Sequence, residues 1–100
     1  MTEDEWGIKR LWASVVVQAL IDATQQPASR PAAHAKTQAH AWLTTEVGVT
    51  AENFEAVCLA AELEPSVVRR FYLKYEGPPL TVHSLARLRD GRPFKEVNNA

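Results

Sequence analysis

Between Ser66 and Lys74 the chain sets a hydroxyl, two adjacent guanidinium groups and an ammonium, in the order Ser66, Val67, Val68, Arg69, Arg70, Phe71, Tyr72, Leu73, Lys74. Guanidinium groups pair with guanine edges or with phosphate oxygens. Arg87, Arg89 and Arg92 follow and can extend a track of neutralised phosphates, the main source of affinity for a nucleic acid. Other chemistry is thinly represented. Cys58 is the single cysteine and falls on an apolar helical face, which suits a small core residue better than a nucleophile. His83 adjoins Ser84, but neighbours on a helix do not face each other and no acid is placed to orient the imidazole. His34 and His40 are six apart, on different helical faces, and read as surface or cap residues. Glu62 and Glu64 sit at a turn. With no glycine-rich phosphate loop and no metal-ligand spacing, no enzyme, no cofactor and no metal is expected.

The cationic segment needs a scaffold, and the pattern around it supplies one. Phe54, Val57, Cys58 and Ala61 are spaced as one buried helical face. Leu63-Glu64-Pro65-Ser66 breaks the chain, and Pro65 restarts it at a first helical position. Val68, Phe71, Tyr72 and Tyr75 line one side of the next helix, leaving Arg69, Arg70 and Lys74 to face outward. Gly77-Pro78-Pro79 stops it.

This helical pair resembles the helix-turn-helix of bacterial and phage repressors, over Phe54 to about Tyr75. In that motif a small residue lies in the first helix, a glycine follows four residues later, an apolar residue fills the turn and a branched residue sits in the second helix. Here those positions hold Cys58, Glu62, Leu63 and Val68. The departure is Glu62, because the turn asks for a positive φ that costs a residue with a side chain about 1 kcal/mol. The resemblance implies that Ser66, Val67, Arg69 and Arg70 face double-stranded DNA, with Lys74 near a phosphate and the second helix in the major groove. It also implies a homodimer, since one such unit has a short footprint.

Upstream, residues 3–25 carry a long helical pattern in Trp6, Leu11, Trp12, Val15, Ala19, Leu20 and Ala23, with Glu3, Asp4 and Glu5 at the dipole's positive end. Trp6 and Trp12 fit either a core anchor or a contact surface. Residues 25–30 form a polar connector with a proline. Ser29 suits an N-cap, with Pro31 just inside an alanine-rich helix over about 31–45. Thr50 suits the cap of the helix that carries Phe54. Beyond Pro79, Val82, Leu85 and Leu88 point to a short helix over 81–90, with a hairpin wing turning at Asp90-Gly91 as the rival. Residues 93–100 read as a loose tail.

One hundred residues with 46% hydrophobic content make a single domain with a small core. The expected fold is all-α: a bundle of four or five helices built on Trp12, Val15, Ala19, Leu20, Trp42, Phe54, Val57, Cys58, Ala61, Leu63, Val68, Phe71 and Leu85. No apolar run suggests a membrane span, the acidic start is no secretory signal, and one free cysteine fits a reducing cytoplasm. The net charge of −1 hides an asymmetry. Residues 1–66 hold four basic and nine acidic side chains, and residues 67–100 hold seven basic and three acidic. The basic half can meet a polyanion or the acidic half of its own chain. Two functions follow as expectations: a DNA-binding transcriptional regulator of phage or mobile-element kind, or a protein-binding inhibitory module. The second rests on three tryptophans and a size like that of anti-CRISPR proteins and other phage-encoded inhibitors of host factors.

Overall fold

The computed structural model describes residues 3–89. Five helices follow one another: α1 Glu3–Thr24, α2 Arg30–Thr44, α3 Val49–Ala60, α4 Pro65–Lys74 and α5 Ala86–Arg89. The described residues contain no strand, and the fold is a small helical bundle, as expected. α1 packs against α2, α3 and α5; α2 packs against α3 and α4. The core gathers where α1, α2 and the α3–α4 pair meet. Phe54, Leu20, Leu43, Val16, Val68 and Cys58 are its largest sealed side chains.

Local chemistry explains most of the helix ends. Ser29 accepts a bond from the Ala32 amide at 3.2 Å and Pro31 sits in the first turn of α2, which satisfies an orphan donor at the helix start. α3 begins two residues earlier than a cap at Thr50 implied. Its N-cap is Gly48 at φ 93°, with no side-chain bond. A positive φ is open to glycine without steric cost, so the backbone at Gly48 sets the entry to α3 and Thr50 lies inside it.

α1 departs from expectation in the face it buries. Ala13, Val16, Val17, Leu20 and Ala23 point inward. Val15 and Trp12, both expected in the core, are 40% and 36% exposed, and Ala19 and Trp42 only partly buried. The remaining expected core residues, from Leu20 and Phe54 through Leu85, are buried. Trp42 stands edge-on to Phe54 with ring centres 4.9 Å apart. Its indole N–H donates to Asn53 Oδ1 at 2.8 Å, so the polar edge of the ring is satisfied where it meets solvent.

The segment after α4 is tied to the end of α1. Leu80 N donates to Thr24 Oγ1 at 3.0 Å and Leu80 O accepts from Gln25 Nε2 at 3.1 Å. Leu80, Leu85 and Leu88 close the core from that side. The expected helix over 81–90 is reduced to a turn at 82–85, held by Thr81 Oγ1 accepting from Ser84 N, followed by the four residues of α5. The turn of the alternative wing at Asp90-Gly91 and the tail over 93–100 lie outside the described residues.

Candidate nucleic-acid interface

The turn between α3 and α4 is built on a left-handed residue. Glu62 has φ 59°, alone in the left-handed region among described non-glycine residues. Its amide donates to Leu59 O at 2.9 Å, and the Leu63 amide reaches Cys58 O at 2.8 Å. These are the two bonds of a Schellman end, which satisfy orphan carbonyls of α3 and reverse the chain. Leu63 is then buried under the turn and Val68 beneath α4. The glutamate that replaces glycine has a use. Its carboxylate meets Lys9 Nζ at 3.5 Å and so links the turn to α1. Nothing in the spacing of residues 54–75 pointed to Lys9, which stands 53 positions upstream.

α4 starts at Pro65 as expected, and its side chains divide into two groups. Ser66, Arg70 and Lys74 are exposed. Spaced by four, they form one outer row. Leu73 is exposed beside them, and Val67 is half-buried. Ser66 Oγ donates to Glu64 Oε1 at 3.3 Å.

Arg69 is different and corrects the expectation that it projects outward. Its Nε donates to Leu43 O at 3.0 Å and its Nη2 to Thr45 O at 2.9 Å. The guanidinium also lies over the Phe54 ring, 4.8 Å from its centre. Arg69 thus caps the last carbonyls of α2, where the helix dipole favours a cation. It is a brace between α4, α2 and α3. The signal that could have revealed this is angular: adjacent residues on a helix point about 100° apart, so Arg69 and Arg70 cannot share one face.

Of the remaining arginines, Arg87 is exposed on α5, which packs on α1. The Arg89 side chain and all of Arg92 lie outside what the structure describes.

Two further features border α4. Tyr72 Oη and His40 Nδ1 are 2.7 Å apart, with their rings edge to face. Burial raises the Tyr72 hydroxyl above its ordinary range. With Thr24, Leu73, Tyr75 and Gly77 they line a shallow cavity of about 330 Å³. Cys58, behind the turn, is fully buried, and burial pushes its thiol up to about 12. It packs as a small apolar group. Among the described residues, no cluster of three or more His, Cys, Asp or Glu is placed to hold a metal ion. No described helix is long and apolar enough to cross a membrane.

No protein-family model, curated protein or solved structure matches this chain.

Proposed function

We propose that the chain is a small helix-turn-helix regulator that binds double-stranded DNA through the outer row of α4, in the manner of phage or mobile-element repressors, and that it works in the cytoplasm as a homodimer. The observation that carries this reading is the left-handed backbone at Glu62 with its two Schellman bonds. That geometry supports reading α4 as the second helix of such a motif, with Ser66, Arg70 and Lys74 exposed along its outer row. Arg70 is the base-reading or phosphate-pairing group, Ser66 and Val67 lie near the helix start, and Lys74 meets a phosphate. Arg69 supports the row from behind by fixing α4 on α2. Glu62 and Glu64 bring negative charge close to the row; the first is paired with Lys9, while the second accepts a hydrogen bond from Ser66 and keeps its charge.

The footprint is small. Two cations on α4 neutralise about two phosphates per copy, for a salt slope of roughly −1.8 per copy and roughly −3.6 for a pair. Anisotropy titrations against mixed-sequence duplex at two salt concentrations test the reading. Binding that weakens with salt, and weakens again in Arg70→Ala/Lys74→Ala, supports it. Absence of binding at low salt refutes it and favours the second reading, a protein-binding module. That second reading is supported by the apolar residues that α1 leaves exposed.

A further inference from the structure

The outer side of α4 carries two rows that cross at Arg70. Ser66, Arg70 and Lys74 form the polar row, at four-residue spacing. Val67, Arg70 and Leu73 form the other, at three-residue spacing, with an apolar side chain before and after the guanidinium. Val67 is half-buried and Leu73 is 62% exposed, so Leu73 is the apolar group that α4 presents outward. The roll of the helix that produces this face is held from behind. Val68 and Phe71 are buried, and Arg69 is bonded to Leu43 O and Thr45 O.

On an ordinary surface one exposed leucine needs no explanation. In a major groove its choice of neighbours is narrow. The edges of adenine, guanine and cytosine offer hydrogen-bond donors and acceptors there, and thymine adds a C5 methyl, the apolar feature of the groove floor. The guanidinium of Arg70 suits the O6 and N7 acceptors of guanine. Arg70 and Leu73 stand about 4.5 Å apart along the helix axis, against about 3.4 Å between base pairs. Their two targets therefore fall about one to two base steps apart.

We propose that Leu73 is a specificity-determining residue: it packs on the C5 methyl of a thymine one or two base pairs from the guanine that Arg70 reads. Ser66 and Lys74 lie at opposite ends of α4 and on opposite flanks of the line from Val67 to Leu73, at 100° per residue. They face the two phosphate walls, where contacts position the helix without reading sequence. The inference rests on the DNA reading and deepens it. Cations alone supply affinity, and the leucine adds a preference for particular base pairs.

The test begins with a pool of random-sequence duplexes. Those retained by the parent at moderate salt are sequenced, and a G·C pair with a T·A pair one or two steps away should be enriched. The enriched duplex is then synthesised with uracil in place of that thymine, which removes the methyl and leaves the pairing intact. In anisotropy titrations the parent should bind the uracil duplex roughly fourfold more weakly, the scale of one buried methyl group. Uracil in place of thymines outside the enriched site should change nothing. Leu73→Ala should bind the thymine and uracil duplexes alike. Its helical circular dichroism should match the parent, since the side chain is exposed. Three results overturn the inference and leave the DNA reading standing: retention without an enriched sequence, equal binding of both duplexes by the parent, or discrimination that survives in Leu73→Ala. A parent that retains no duplex overturns both and assigns Leu73 to a protein partner.

Discussion

Arg69 lies 4.8 Å above the ring of Phe54 and ends on the carbonyl of Leu43. One side chain of α4 therefore closes α2 and covers the central aromatic residue of α3. This contact takes Arg69 out of the outer row of α4, where Arg70 is exposed. Arg69→Ala should destabilise the fold by about 2 kcal/mol, because two charge-assisted bonds and a ring contact are lost. Arg70→Ala should stay within about 0.5 kcal/mol of the parent, as exposed substitutions do. Urea unfolding of the two variants side by side checks this.

The backbone at Glu62 gives a prediction of opposite sign. Glu62→Gly relieves a positive φ at a cost of less than about 1 kcal/mol for the lost Lys9 pair. The variant should be neutral to about 1 kcal/mol more stable, or up to several degrees in Tm. Glu62→Val keeps the strain, adds a branched side chain and loses the pair, and should melt below the parent. Thermal scans of the three proteins decide it.

Val68 is sealed between α4 and the core. Val68→Asp would bury a carboxylate with no partner and should unfold the domain. Loss of helical circular dichroism at neutral pH is the expected readout.

Cys58 makes stability depend on alkaline pH. Burial holds its folded-state thiol near 12, against 9.0 for an unperturbed thiol. The unfolded chain therefore loses this proton first. The contribution is complete below about pH 9 and falls as pH rises from there towards 12, because the unfolded state binds fewer protons. Cys58→Ala should flatten that part of the pH profile, though a smaller side chain lowers the baseline. A thiol reagent should react with the parent only as fast as the core opens.

The parts of this fold legible in sequence were those fixed by short-range chemistry. Ser29 and Pro31 announced α2, and the spacing of Cys58, Glu62, Leu63 and Val68 announced a turn that Glu62 adopts despite its side chain. The orientation of α1 was not legible. Its two ladders, one led by Val16 and Leu20 and one by Leu11 and Val15, are each apolar at helical spacing. Only packing against α2 and α3 decides which is buried. Arg69 was hidden for a similar reason. What draws it inward is the open end of α2, twenty-odd residues away in the chain, together with the face of Phe54. Gly48 went unread as a cap because its contribution is a backbone angle, while Thr50 offered the expected hydroxyl.

The central claim is that the outer row of α4 meets a polyanion. Its most direct test is fluorescence anisotropy of a labelled duplex titrated with the parent, with Arg70→Ala/Lys74→Ala and with the uncharged exposed control Leu59→Gln, at low salt. The parent and the control should bind alike, and the double variant should lose at least tenfold in affinity. A double variant that binds as tightly as the parent, or a parent that does not bind, would contradict the account.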